Sequence, residues 1–166
     1  MPIYTLISNE FFIPERSVLL DTNILFTAFM RNDRKCEDTR VFIDEILREM
    51  NYSPIVLLEV VVETWGLVVG SRKEKNSGLE ILSWLSNPAN ATLIPLERNL
   101  FHLGHDLCHR MGIDYVDSIL INSSFELSKQ CSIRKPLPIV TYERREYYDF
   151  MARTKREIEL ISPDDI

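Results

Sequence analysis

A short apolar run near the start of the sequence stops abruptly at polar residues. Ser17 and the three aliphatic residues after it are followed directly by Asp21, Thr22 and Asn23. An uninterrupted apolar run of this length is typical of a strand that is buried on both faces, as in a parallel sheet. Because a buried charge is costly, Asp21 is either a helix N-cap for the residues after it or a functional residue.

The rest of the chain alternates between strand-like and helix-like segments. Short apolar runs predict further strands at 55–58, 91–95, 138–141 and 157–161. Apolar residues at helical spacing predict helices at 37–50, 59–69, 79–85, 97–111 and 114–129, and a short helical piece after 141. Strands that alternate with helices imply right-handed crossovers. We therefore expect a three-layer α/β/α sandwich around a twisted parallel sheet of four or five strands.

Length and composition predict one domain that spans residues 1–166. A chain of 166 residues with 45% hydrophobic residues can bury one core but not two ordinary ones. No apolar run approaches the ~18 to 20 residues needed to cross a bilayer, and residues 1–8 lack the features of a secretory signal. The three cysteines form no CxxC pair, which favours reduced thiols. We therefore expect a cytoplasmic protein without a membrane segment.

The net charge of −6 argues at first against nucleic acid as a partner. Two bound divalent cations would offset four of these charges. The electrostatic attraction of a nucleic acid to the surface would then depend on local basic clusters. Three such clusters are present, namely Arg31/Arg34/Lys35, Arg72/Lys73/Lys75 and Arg144/Arg145/Arg153/Lys155/Arg156. They are compatible with RNA binding and equally with an ordinary solvated surface.

Four acidic residues lie at the ends of predicted strands or in the helix turn beside them. Asp21 ends the first strand, Glu59 directly follows the second, and Glu143 lies just past the strand at 138–141. Asp117 is in the first turn of the helix that begins at Asp114. Because ligands of parallel sheets bind at the carboxyl ends of the strands, we expect these four carboxylates at one rim.

Such a cluster predicts a metal site. Two carboxylates ~5 Å apart at an effective dielectric constant of ~20 repel by roughly 3 kcal/mol, so four of them require cations. Hard oxygen ligands and only three histidines favour Mg²⁺ or Mn²⁺ over Zn²⁺. The histidines, at 102, 105 and 109, fall opposite the apolar stripe of their helix and are interpreted as a solvated face.

Five short segments follow one another along the chain, namely Val18-Leu-Leu-Asp-Thr-Asn-Ile-Leu, Ser53-Pro-Ile-Val-Leu-Leu-Glu-Val, Asp114-Tyr-Val-Asp-Ser-Ile-Leu-Ile, Ile139-Val-Thr-Tyr-Glu and Ile158-Glu-Leu-Ile-Ser-Pro-Asp. Their order and spacing, from Ser17 to the end of the chain, resemble those of the PIN-domain nucleases. The resemblance places Asp21, Glu59 and Asp117 at the family's first three acidic positions. It places Glu143 at the fourth, where the family usually has aspartate. It also implies that Thr22, Asn23 and Thr141 orient these ligands.

This resemblance implies a nuclease that uses Mg²⁺ or Mn²⁺ and activated water to hydrolyse phosphodiesters, with RNA as the expected substrate. Many small members of the family are toxins neutralised by an antitoxin, so an antitoxin or another protein partner, or a homodimer, is compatible with it. The alternative is a PIN-like fold that has lost activity and binds RNA or protein, favoured by Glu143 and the acidic surface. Catalysis through an aspartyl phosphate is disfavoured because Asn23 stands where a second aspartate is expected.

Two neighbouring acids compete with the assigned ligands. Glu63 lies one helical turn after Glu59 and shares its face, and Asp114 precedes Asp117 by three residues. Glu63 is interpretable as a surface charge and Asp114 as a helix cap. We assign Glu59 because it adjoins the strand end, and Asp117 because it adjoins an apolar stripe.

Overall fold

The computed structural model describes residues 13, 14 and 16–166, so the N-terminal segment 1–8 considered above for a secretory signal lies outside the described residues. The strands are β1 Ser17–Leu20, β2 Ser53–Leu57, β3 Thr92–Ile94, β4 Ile139–Val140 and β5 Leu160–Ile161. The α-helices are α1 Thr22–Phe29, α2 Cys36–Val41, α3 Leu47–Glu49, α4 Leu58–Trp65, α5 Lys75–Ser86, α6 Arg98–Met111, α7 Tyr115–Gln130 and α8 Arg145–Thr154. The described residues also form two π-helical segments, Phe42–Ile46 and Gly66–Ser71, and a 3₁₀ turn, Pro163–Asp165.

The five strands form one parallel sheet in the order β3-β2-β1-β4-β5. The central strand β1 pairs Leu19 with Ile55 of β2 on one side and Leu20 with Val140 of β4 on the other. All four residues of β1 are fully buried, as its apolar run predicts. The chain leaves β1 first toward β2 and later returns to β4. The carboxyl ends of β1 and β4 therefore form a topological switch point.

Helices cover both faces of the sheet. The chain passes from β1 outward to β3 through α1 to α5, then crosses back through α6 and α7 and continues outward through α8. Right-handed crossovers in these opposite directions place the two groups of helices on opposite faces. Their contacts agree, because α1 packs on α2, α4 and α5, whereas α7 packs on α6 and α8. This confirms the expected three-layer α/β/α architecture with a parallel sheet.

A helix follows β1 directly, although the sequence patterns do not separate it from the first strand. Asp21 adopts an extended conformation and caps α1 through its side chain, which accepts a hydrogen bond from the backbone of Thr22. The helix then buries Ile24, Leu25 and Phe29 in the core. The N-cap interpretation of Asp21 is therefore correct as a description of local structure, and it leaves the other carboxylate oxygen free for further contacts.

Most of the strands end or begin at other residues than the apolar runs predict. β2 ends at Leu57, so Leu58 already belongs to α4. β4 and β5 each have two residues, fewer than the runs at 138–141 and 157–161 predict. β4 is short because β1 offers it partners only at Leu19 and Leu20 before the chain turns into α1. β5 in turn pairs only with the two residues of β4, Ile139 and Val140. Within the described residues, no helix combines the length and apolar character needed to cross a membrane.

Candidate active site

The switch point brings together two residues that follow neighbouring strands. Asp21 directly follows β1, and its backbone N–H donates to the carbonyl of Val140 at 3.0 Å. Thr141 directly follows β4, and its backbone N–H donates to the carbonyl of Ile161 at 2.9 Å. Both side chains are buried, with 3% exposure for Asp21 and 0% for Thr141. The parallel pairing of β1 and β4 therefore fixes their relative position.

Four donors surround the carboxylate of Asp21. Its Oδ1 accepts from the backbone N–H of Thr22 at 2.6 Å. Its Oδ2 accepts from Thr141 Oγ1 at 2.7 Å, from Asn23 Nδ2 at 3.0 Å and from the hydroxyl of Tyr147 at 3.0 Å. Burial nevertheless raises the pKa of Asp21, and the charge of Glu63 raises it further. These donors hold the side chain in one orientation.

Asn23 and Thr141 also bind each other and the loop after β4. Thr141 Oγ1 accepts from Asn23 Nδ2 and from the backbone N–H of Glu143, both at 3.0 Å. Asn23 Oδ1 accepts from the backbone N–H of Tyr142 at 3.0 Å. The polar residues at the start of α1 are thus joined to the segment that carries Glu143.

Asp117 lies on the other side of the Tyr147 hydroxyl. Its Oδ1 accepts from that hydroxyl at 3.2 Å, and the tyrosine itself is fully buried. Burial is the largest cause that raises the pKa of Asp117 to about 7, and the nearby charges of Asp21 and Asp114 add to it. Burial likewise raises the pKa of Tyr147 well above its usual value. The sheet edge therefore holds two crowded carboxylates with one hydroxyl between them.

An open cavity of about 320 Å³ adjoins these groups. Five carboxylates line it, namely Asp21, Glu63, Asp114, Asp117 and Glu143. The other lining residues are Thr22, Asn23, Phe26, Leu67 and Arg72. Three of the four acids assigned from the sequence are therefore brought to one cavity.

The fourth assigned acid, Glu59, does not line this cavity, and Glu63 lines it instead. Glu63 Oε2 accepts a hydrogen bond from Thr22 Oγ1, which joins α4 to α1 beside Asp21. Glu59 has one oxygen that is buried without a hydrogen-bond partner in the described part of the chain, and burial raises its pKa. Because α4 begins at Leu58, the residue that reaches α1 is one helical turn beyond the strand end.

Asp114 and Glu143 occupy exposed positions at the cavity. Asp114 caps α7 by accepting from the backbone N–H of Val116 at 3.0 Å, as its interpretation as a helix cap predicts, and it lines the cavity as well. Glu143 is exposed, and its backbone is held by Thr141. The sequence does show that Glu63 and Asp114 lie about one helical turn from the assigned acids Glu59 and Asp117. That spacing alone does not show which acid of each pair faces the cavity.

The donors of the cavity suit a hard divalent cation. Among the described residues that line it, the side chains able to bind a cation strongly are carboxylates, with no histidine or cysteine. His102, His105 and His109 are exposed on α6. In the ranges that the structure describes, no three Asp, Glu, His or Cys side chains converge closely enough to enclose a metal ion by themselves. Mg²⁺ does not require such a cage, since it usually retains several waters and binds through one or two carboxylates. Asp21 and Asp117 therefore fit this chemistry.

Arg72 is the one cationic residue among the described residues that line the cavity. Its guanidinium lies 5.9 Å from the ring centre of Phe26, which also lines the cavity. In the other two basic clusters, Lys35 pairs with Asp164, Arg144 with Asp165 and Arg31 with Glu80. Arg72 is thus the cation best placed to meet an anionic ligand.

The fold is shared with solved toxin structures. VapC20 from Mycobacterium tuberculosis, described as a sarcin-ricin loop cleaving toxin, matches 79% of this chain and 93% of its own at 11% identity and a TM-score of 0.60. VapBC2 from Rickettsia felis, bound to a promoter DNA fragment, matches 88% and 98% at 16% identity and a TM-score of 0.60. A toxin-antitoxin complex from Klebsiella pneumoniae matches 88% and 97% at 14% identity and a TM-score of 0.53.

No protein-family model and no curated protein matches the sequence. The structural matches nevertheless cover most of this chain and nearly all of each matched chain. The protein has the PIN-like fold of these toxins, as the order of its sequence segments predicts.

Proposed function

We propose that this protein is a metal-dependent nuclease that hydrolyses phosphodiesters, with RNA as its substrate. The observation that carries the proposal is the convergence of Asp21 and Asp117 on one hydroxyl, in a cavity lined by five carboxylates. This cavity lies at the switch point of the parallel sheet, where ligands of such sheets bind. The cleaving activity in the description of VapC20, a protein with the same fold, supports the reaction type.

The residues proposed to hold Mg²⁺ or Mn²⁺ are Asp21 and Asp117, supported by Glu63 and by the exposed Asp114 and Glu143. Glu63 replaces Glu59 in this set because it lines the cavity. A bound divalent cation supplies an activated water and neutralises charge on the phosphate. The four donors to Asp21 keep its carboxylate in place for this purpose.

The remaining lining residues are proposed to bind the nucleic acid. The guanidinium of Arg72 binds a backbone phosphate, for which its planar array of donors is suited. Phe26 offers a half-buried aromatic ring beside it, on which a base can stack. These contacts orient the substrate over the carboxylates.

The second candidate is a PIN-like module without activity that binds RNA or protein. It is favoured by the lack of a preformed group of three metal ligands in the described ranges and by the exposed position of Glu143. Under either candidate we propose a protein partner, either an antitoxin or a second copy of the chain. The toxin-antitoxin complex from Klebsiella pneumoniae, one chain of which has the same fold, supports an antitoxin.

Cleavage of defined oligonucleotides by the purified protein tests the proposal. We expect cleavage of single-stranded RNA in Mg²⁺ or Mn²⁺ and none in EDTA. We expect Asp21→Asn to lose activity by at least about 100-fold, because losing a metal ligand should cost more than the about 10- to 100-fold loss that follows removal of a ligand's partner. Asp149→Asn, at an exposed position of α8, is the matched control. DNA oligonucleotides of the same sequence test the choice of substrate. Equal activity in EDTA or in Asp21→Asn would refute the metal-dependent assignment, and no cleavage together with no metal binding would favour the inactive module.

A further inference from the structure

Tyr147 places a polar atom in the core of the protein. The residue is fully buried on α8, whereas the next residue, Tyr148, is 53% exposed. The core would be equally well filled by phenylalanine, and burying a hydroxyl is unfavourable unless it is hydrogen-bonded. The contacts of this hydroxyl therefore explain why the residue is a tyrosine. Both contacts are with carboxylates at the cavity, Asp21 at 3.0 Å and Asp117 at 3.2 Å.

The two carboxylates depend on Tyr147 to different extents. Asp21 has three other donors, from Thr22, Asn23 and Thr141. For Asp117, the Tyr147 hydroxyl is the one hydrogen-bond donor to its carboxylate among the residues that the structure describes. A hydroxyl has a single proton, so Tyr147 donates it to one carboxylate at a time and the two carboxylates share it. Because Asp21 has three other donors and Asp117 has none among the described residues, loss of the hydroxyl would release Asp117 and leave Asp21 in place.

We propose that Tyr147 is a positioning residue that holds Asp117 at a fixed place relative to Asp21, so that both carboxylates can bind one divalent cation. This inference rests on the proposed function, because it assigns the two carboxylates to a metal. Tyr147 acts through Asp117 and does not itself bind the metal or the substrate. The hydrogen bond from Tyr147 to Asp117 thereby joins α8, the helix after β4, to the first turn of α7.

The test begins with Tyr147→Phe, which keeps the ring and removes one atom. We expect its Mn²⁺ affinity, measured by calorimetric titration, to fall by about 10- to 100-fold, the usual effect of removing a partner of a metal ligand. We expect kcat to fall with little change in KM, because the substrate contacts at Arg72 and Phe26 are retained. Tyr148→Phe removes the same atom from the exposed neighbouring residue and should change neither quantity. Unchanged Mn²⁺ affinity in Tyr147→Phe would overturn the proposal.

A double-mutant cycle separates positioning from a general structural role. If Tyr147 acts through Asp117, adding Tyr147→Phe to Asp117→Asn causes little further loss of Mn²⁺ affinity. If the double variant loses Mn²⁺ affinity by the product of the two single-variant factors, Tyr147 does not act through Asp117 and the inference is wrong. A parallel fall in melting temperature and Mn²⁺ affinity, with multiplying losses, would likewise indicate a structural role only.

Failure of the proposed function can be distinguished from failure of this inference. If the wild-type protein binds no Mn²⁺, the proposed function is wrong, and the metal-binding part of the inference fails with it. Crystal structures of the metal-free wild type and of Tyr147→Phe then test the positioning itself. We expect the Asp117 carboxylate to leave its wild-type rotamer in the variant while Asp21 stays in place. An unmoved Asp117 would overturn the positioning role.

Discussion

Oγ1 of Thr141 donates a hydrogen bond of 2.7 Å to Oδ2 of Asp21 across 120 positions of sequence. The two residues directly follow β4 and β1, which are neighbours in the sheet. The bond therefore spans the switch point and joins the two halves of the chain where the candidate metal site lies. The same hydroxyl oxygen accepts from Asn23 and from the backbone of Glu143.

Thr141→Val should test this junction, because valine has nearly the same shape and lacks the hydroxyl. We expect about 10-fold or greater loss of Mn²⁺ affinity. We also expect the free energy of unfolding to fall by about 1–3 kcal/mol, because buried donors lose their acceptor. Calorimetric titration and urea unfolding measure the two effects. Thr141→Ser, which retains the hydroxyl, should preserve metal affinity, and a valine variant that binds Mn²⁺ normally would argue against this role.

Because Glu63 lines the cavity and Glu59 does not, the same substitution at the two positions should have opposite results. Glu63→Gln should lower both cleavage rate and Mn²⁺ affinity, because Glu63 lines the cavity beside Asp21. Glu59→Gln should leave both unchanged and raise the melting temperature, because it removes a charge from an oxygen that is buried without a partner in the described structure. Each variant is the control for the other, because both make the same Glu→Gln change on α4. Loss of activity in Glu59→Gln alone would restore the assignment made from the sequence.

The raised pKa of Asp117 predicts a pH dependence of stability in the metal-free protein. Unfolding returns this pKa from about 7 to the ordinary value of about 3.9, so between these values the folded state binds more protons. The stabilising contribution is complete below about pH 4 and is lost as the pH rises through about 7. Asp117→Asn should therefore melt at a higher temperature than the wild type at pH 8, with a smaller difference at pH 4.

Melting curves in EDTA from pH 4 to 8 measure this effect. Asp149→Asn, at an exposed position of α8, is the comparison variant, in which the same change removes only a surface ion pair with Arg153. If the difference between Asp117→Asn and the wild type stays constant across this range, Asp117 is not the titrating group.

Two glycines predict opposite effects of the same substitution. A Cβ at Gly104 of α6 would lie 2.7 Å from Cγ1 of Ile119, which is fully buried in α7. Overpacking of this kind costs about 1–3 kcal/mol and should exceed the ~1 kcal/mol that alanine gains in a helix. At Gly66, which has helical φ and ψ, a Cβ would meet nothing within 4 Å. Gly104→Ala should therefore destabilise the protein.

Gly66→Ala should in contrast stabilise the protein by about 0.5–1 kcal/mol, because alanine loses less backbone entropy in a helix. Urea unfolding of both variants measures the two changes. Equal stabilisation by both substitutions would mean that α6 and α7 are not as closely packed at Gly104 as the structure indicates.

The sequence by itself determined the class of fold and the region of the candidate site. The apolar run at Ser17–Leu20 predicts a buried parallel strand because strands covered on both faces have no polar alternation, and the structure confirms it. Helical periodicity similarly placed α6 and α7 to within one residue of their observed limits, Arg98–Met111 and Tyr115–Gln130. The convergence of Asp21, Asp117 and Glu143 on one cavity follows from where strands and helices end.

Only the tertiary structure decided which side chains line the cavity of the candidate site. Glu59 and Glu63 lie one turn apart on the same helix, and the packing of α4 on α1 selects Glu63. Tyr147 follows β4 by seven positions and reaches Asp21 and Asp117 only because α8 packs against α7. Local patterns report burial and periodicity along one element. They carry no information on the rotation of one element against another, and that rotation determines which turn of a helix faces the carboxylates.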